Sequence, residues 1–125
     1  LVVPVIKNAD KKNIVELAKE IETLAEKARN GKLELNDVRD GTFTITNIGS
    51  IGGIFSVPII NYPEAAILGI HRILEKPVIK DGQLITRKIM YLSLSFDHRI
   101  IDGAMAAEFV NTIKEYLEQP ILLLF

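Results

Sequence analysis

The segment richest in chemical possibility is Phe96-Asp97-His98-Arg99-Ile100-Ile101-Asp102-Gly103. His98 is the side chain here that can act as a base near its own pKa, since free imidazole titrates at about 6.5. Asp102, four residues on, can cap a following helix, and its carboxylate could also order the loop carrying His98. The plain structural alternative is a locally satisfied loop histidine beside a helix cap. The spacing fits either. The second histidine, His71, follows the apolar run Ala65–Ile70. On the residue pattern alone it reads as an exposed strand-end side chain. His71 and His98 lack the spacing of a metal pair, and with no Cys in the chain no metal is expected. Gly49-Ser50-Ile51-Gly52-Gly53 lacks the Gly-Lys-Ser/Thr ending of a phosphate loop. No Gly-x-Ser-x-Gly elbow supports a serine hydrolase.

These residues need elements to position them. Tyr91 to Phe96 alternates apolar with small polar residues, predicting a strand with one buried face and a second face lined by Ser93 and Ser95. Residues 103–118 carry Met105, Ala106, Phe109, Val110, Ile113 and Leu117 at helical spacing, and Pro120 stops the helix. The His98 segment therefore sits at a strand-to-helix junction, where active-site groups are often placed. Thr42 to Thr46 alternates like a half-buried strand that Asn47-Ile48 continues, and a long irregular segment with Pro58 and Pro63 follows. Such segments inside a domain are usually functional. Ala65–Ile70 predicts a short strand. Ile73–Lys80 and Gln83–Phe96 predict two more, hinged at Asp81-Gly82. Near the start, Leu1–Lys7 reads as a buried strand. Residues 13–29 read as an amphipathic helix with Asn13 and Glu16 as a capping pair, Asp10 as the alternative cap, and Gly31 at its end.

The chain has 125 residues, 48% hydrophobic and 25% charged, a size and composition that predict one globular domain. A net charge of −1 offers no basic face for nucleic acid. No run of about 18 apolar residues predicts a membrane-spanning helix, and no secretory leader pattern is visible. The opening on an apolar run at Leu1 suggests a piece of a longer polypeptide. The wholly apolar tail Ile121–Phe125 should dock on its own core or against another subunit.

His98-x-x-x-Asp102-Gly103, within Ser93-Leu94-Ser95-Phe96-Asp97-His98-Arg99, resembles the active-site signature of the dihydrolipoamide acyltransferases, the catalytic core of the 2-oxoacid dehydrogenase complexes. Chloramphenicol acetyltransferases and peptide-synthetase condensation domains share the short motif alone. The resemblance continues, in order, through Leu1–Lys7, Glu26–Leu33, Gly41–Gly53 and Pro63–Ile70. It implies an α/β fold, an α+β two-layer sandwich of the chloramphenicol-acetyltransferase-like coenzyme A-dependent acyltransferase type, with a mixed sheet and packed helices. It also implies that residues 1–125 are the C-terminal half of one catalytic domain, without the lipoyl and peripheral-subunit-binding domains.

The implied activity is acyl transfer between dihydrolipoamide and coenzyme A. The lipoyl group would be carried on a domain absent from this chain. In that reading His98 is the general base, Thr46 supplies the hydroxyl that stabilises the oxyanion, and Asp102 supports the His98 loop. Asp97 and Arg99 are expected to make a structural ion pair or helix-end contacts rather than to do chemistry. Asn47, Ser50, His71 and Ile73 line the coenzyme A and lipoamide channel, with the His71 imidazole dispensable. The resemblance implies trimers assembling into a cube or dodecahedron, with base and oxyanion donor drawn from neighbouring subunits and the apolar tail as a contact between trimers. It implies decarboxylase and dihydrolipoamide dehydrogenase subunits as partners, no nucleic acid or membrane, and a cytoplasmic setting, or the mitochondrial matrix in a eukaryote. Asn47–Gly53 looks closer to acetyl or branched-chain members than to succinyl members. The alternatives are a non-catalytic core scaffold and a chloramphenicol-type acetyltransferase.

Overall fold

The structure is a computed structural model that describes residues 1–124, in two compact units, Leu1–Thr42 and Phe43 onward. In the first unit, α1 spans Ile14–Arg29. Its start is fixed by a capping box. The Asn13 side chain accepts from the Val15 and Glu16 backbone N–H groups at 3.0 Å, and Glu16 accepts from Asn13 N–H at 2.8 Å. Asp10 falls instead in a short 3₁₀ turn, Ala9–Lys11. Gly31 leaves the helix at φ +64°, where a Cβ would be strained. Leu24 is buried, but Ile14 and Ile21 remain 75% and 56% exposed, so only part of the apolar stripe is covered. The expected strand at Leu1–Lys7 does not form. A strand needs a ladder, and here Val5 N–H donates to Asp37 O while Pro4 has no N–H to give. Lys27 pairs with Asp37 at 3.1 Å. The Glu34 N–H and then Lys27 hold the Asp37 carboxyl below the usual carboxylate range.

The second unit is built on a three-stranded mixed sheet in the order β1 (Thr44–Asn47), β2 (Ala66–Ile70), β5 (Leu92–Phe96). β1 runs parallel to β2, with Thr46 opposite Gly69. β5 runs antiparallel to β2, with Ser93 opposite Gly69 and Phe96 opposite Ala66. As the central strand, β2 holds the core of this unit: Ala66, Ile67 and Leu68 are all at most 6% exposed. Helix α2, Gly103–Glu118, carries the buried Ala106 and sets the Phe109 ring 5.6 Å from that of Phe43.

The long strand expected over Gln83–Phe96 is two strands. β3 (Leu74–Lys80) and β4 (Gln83–Ile89) form a separate hairpin, and the chain breaks at Met90-Tyr91 before β5. The predicted turn is present, with Asp81 at φ 51° and Gly82 at φ 76°. All five residues of β5 are half-buried rather than alternating, and Ser93 Oγ is enclosed without a partner among the described residues. The tail forms a 3₁₀ turn over Pro120–Leu124 with Leu124 76% exposed; Phe125 lies outside the described residues.

Candidate active site

β5 delivers the chain to His98. Asp97 N–H donates to Ala65 O at 2.8 Å, extending the ladder one residue past Phe96. The chain then turns, with Asp97 O accepting from Ile100 and Ile101 N–H at 3.1 and 3.0 Å. Asp97 also receives Arg99: Nη2 on Oδ2 at 2.6 Å, and Nε and the Arg99 backbone N–H on Oδ1 at 2.9 and 3.0 Å. The Arg99 side chain, then its backbone N–H, bring the Asp97 carboxyl down to about 2. The expected ion pair is thus present, and it stiffens the turn on either side of His98. The His98 side chain is exposed, its ring 5.7 Å from that of Phe96. It lines an open cleft with Ile60, Tyr62, Glu64, Phe96, Asp97 and Arg99. Asp102 closes the turn as the N-cap of α2, its Oδ1 accepting from Met105 N–H at 2.9 Å. Its carboxylate thus serves the helix end, and so fixes where the His98 loop stops.

Thr46 is half-buried in β1, and Asn47 ends that strand with its side-chain oxygen accepting from Gly49 N–H at 2.8 Å. Ser50 is exposed in a 3₁₀ turn over Gly49–Ile51. These three form one group by sequence, at and just past the end of β1. Ile73 is 60% exposed beyond β2. His71 departs from its pattern-based reading as an exposed strand-end side chain: it is 2% exposed, and both ring nitrogens are engaged, by Ser56 and by the Tyr91 carbonyl. Neither Ser56 nor Tyr91 carries a motif that would single it out, since a backbone carbonyl and an isolated serine leave no pattern. Glu64 was likewise silent. It accepts from the buried Thr44 hydroxyl at 2.5 Å and holds the chain that leads to the His98 cleft.

The sheet directions separate the two groups. β1 leaves the sheet at the Ile70 end of β2, and β5 leaves at the Ala66 end. From Thr46 to Asp97 is four residue steps and two strand widths, about 16 Å between Cα positions at roughly 3.3 Å per residue and 4.8 Å per strand.

A mixed sheet backed by α2, with a histidine turn between its last strand and that helix, is the chloramphenicol-acetyltransferase-like acyltransferase fold. The family profile for the 2-oxoacid dehydrogenases acyltransferase (catalytic domain) matches residues 1–125, and the chain belongs to that family. It is 53% identical over 124 residues to the dihydrolipoyllysine-residue acetyltransferase component of the pyruvate dehydrogenase complex of Staphylococcus epidermidis, covering 99% of this chain and 29% of that protein. It is 52% identical, with 99% and 30% covered, to the succinyltransferase component of the 2-oxoglutarate dehydrogenase complex of Haemophilus influenzae.

Among solved structures, it resembles Azotobacter vinelandii dihydrolipoamide acetyltransferase at 44% identity and TM-score 0.94, covering 99% of this chain and 51% of that one. That structure concerns the role of one serine, one histidine and one asparagine in the catalytic mechanism. The cubic core of the pyruvate dehydrogenase multienzyme complex matches at 43% identity and TM-score 0.94, with 99% and 51% covered. The chain thus spans about half the length of these solved chains and less than a third of the curated relatives.

Proposed function

We propose that this chain is the C-terminal half of the catalytic domain of a dihydrolipoamide acyltransferase, moving an acyl group between dihydrolipoamide and coenzyme A. The observation that carries the reading is the presentation of His98 on a turn held from both sides, by the Asp97–Arg99 pair and by the Asp102 cap. Support comes from the Azotobacter enzyme, whose serine and histidine stand 52 residues apart and whose histidine and asparagine stand four apart. Thr46, His98 and Asp102 have the same spacings. At these spacings Thr46 stands where that enzyme has Ser, and Asp102 where it has Asn. Thr keeps a hydroxyl donor, and Asp keeps the oxygen acceptor that caps α2 while giving up the amide N–H donors of Asn.

In the proposed reaction His98 takes the proton of the coenzyme A thiol as the sulfur attacks the thioester carbonyl of acyl-dihydrolipoamide. Complete transfer from a thiol of pKa about 8.5 to an imidazole of about 6.5 costs roughly 2.7 kcal/mol, well within reach of a general base. The Thr46 hydroxyl donates to the oxyanion of the tetrahedral intermediate. Collapse breaks the carbon–sulfur bond to the lipoyl arm, whose sulfur recovers the proton from His98. With Thr46 and His98 at opposite ends of one sheet, the complete site takes its base from one copy and its oxyanion donor from another. That arrangement supports association of copies, which the family resemblance makes a trimer, and the match to a cubic core supports a larger assembly. The partly covered stripe of α1 and the exposed Ile121, Leu123 and Leu124 fit a chain completed by further protein.

Acetyl and succinyl components are equally similar overall, so the acetyl or branched-chain preference rests on Asn47–Gly53. Decarboxylase and dihydrolipoamide dehydrogenase partners and a cytoplasmic or matrix setting follow from the same reading. The test is acyl transfer between acyl-coenzyme A and dihydrolipoamide by the full-length parent protein, wild type against His98→Ala, with assembly size measured in parallel. A loss of roughly 10²- to 10⁴-fold with size unchanged is expected. A wild type that assembles without transferring acyl groups would establish the scaffold instead.

A further inference from the structure

Among the described residues His71 is the most buried polar one, and the acyl-transfer chemistry has no use for it. Its bonding fixes the proton on Nδ1. Nδ1 lies 2.8 Å from the Tyr91 carbonyl oxygen, which can only accept, so Nδ1 carries the proton. Nε2 shares a hydrogen bond of 2.9 Å with the Ser56 hydroxyl, which can serve as donor or acceptor. The ring thereby ties three pieces together: the end of β2, the residue before β5, and the irregular segment at Ser56. Gly69 makes room for it. A Cβ there would lie 3.2 Å from the His71 Cε1 and 3.4 Å from Ser56 Oγ.

The loop between β1 and Ser56 is fastened against the same strand end. Ile48 N–H donates to Ile70 O at 3.2 Å, Gly53 N–H to Ile48 O at 2.9 Å, and Arg72 N–H to Gly53 O at 2.8 Å. Gly49 lies flush on the His71 backbone, where a Cβ would come within 2.7 Å of its carbonyl carbon. Ser50 therefore sits on a loop stapled at Ile48, at Gly53 and, through the imidazole, at Ser56.

We propose that His71 and Ser56 are positioning residues that clamp this loop for coenzyme A, acting on its binding and not on the acyl-transfer step. The inference rests on the acyltransferase reading above, in which Asn47 and Ser50 face coenzyme A. Thr46 is held independently, by the β1–β2 ladder, and His98 lies at the opposite end of the sheet. Loosening the clamp thus leaves both groups of the chemical step in place and frees the loop.

The test uses the full-length parent enzyme. Ser56→Ala removes one hydroxyl from the clamp, and Ser56→Thr restores it. Losing a hydrogen bond of ordinary net strength predicts a rise of about five- to tenfold in KM for coenzyme A, with kcat within about twofold and KM for the acyl donor unchanged. Threonine should return KM to near the wild-type value. Hydrogen exchange across residues 48–57 should quicken in Ser56→Ala by a similar factor. An unchanged KM for coenzyme A, or a fall in kcat at constant KM, overturns the clamp. A wild type that transfers no acyl group overturns the acyltransferase reading instead. In that case unaltered exchange over 48–57 in Ser56→Ala still overturns the clamp, and faster exchange upholds its structural part.

Discussion

The role of Asp102 separates into charge and hydrogen bonding, and two substitutions divide them. Its Oδ1 accepts from Met105 N–H at 2.9 Å and caps α2 at the point where the His98 loop ends. Asn presents the same acceptor and caps helices about as well as Asp, losing only the attraction of a full charge to the helix N-terminus, about 0.3–1 kcal/mol. Ala removes the acceptor as well and costs about 1 kcal/mol for the cap, within a range of roughly 0.5–2. If Asp102 acts through the cap, Asp102→Asn should keep kcat within a few-fold of wild type. Asp102→Ala should be less stable and lose activity more, up to about fivefold at the free energy of one cap. If the charge itself steadied the His98 imidazolium, both variants would lose roughly 10²-fold or more with little to separate them. The assay is kcat for acyl transfer by the full-length enzyme, with urea unfolding of each variant alongside. An Asp102→Asn enzyme that unfolds like wild type yet has lost a hundredfold in kcat would refute the cap argument.

Two further outcomes follow from the same geometry. Gly49→Ala should cost about 1–3 kcal/mol in urea unfolding, because its Cβ meets the His71 and Arg72 backbone, which has no flexible end to move aside; wild-type stability would place the loop elsewhere. The Asp97 carboxyl should titrate near 2 by NMR and return toward 3.8 in Arg99→Ala. Because its folded pKa is depressed, its stabilisation is full above the unfolded value of 3.8 and is lost as pH falls toward 2. A midpoint unmoved by Arg99→Ala would dissolve the pair.

Elements fixed by local chemistry are legible in the sequence. Asn13 with Glu16, Asp81-Gly82, and Asp102 before an apolar helical stripe all act within a few residues, and each boundary they predict is present. The His98 turn is legible for the same reason, since its ion pair spans only two residues. What stays hidden depends on distant partners. Leu1–Lys7 has the composition of a strand but no ladder to join. The break at Met90-Tyr91 lies inside an apolar run and shows only in the pairing, where β4 answers β3 and β5 answers β2. Burial of His71 is equally nonlocal, because its partners stand 15 and 20 residues away. The pattern of neighbours predicts an exposed ring, and the tertiary contacts reverse it.

The hairpin between β2 and β5 also bears on how quickly the sheet can assemble. Ile70 and Leu92 are direct partners in the register, yet a long connection lies between them. Pairing them from an open chain means closing a loop of about 20 residues, whereas a preformed β3–β4 hairpin shortens the effective path to about six. On the logarithmic scaling of loop entropy, that difference is worth about 1 kcal/mol. Hairpins form in microseconds, well ahead of nonlocal sheet pairing. Asp81-Gly82 thus acts far from its own turn: by folding early, it brings β5, and with it the His98 turn, to the strand that must hold it.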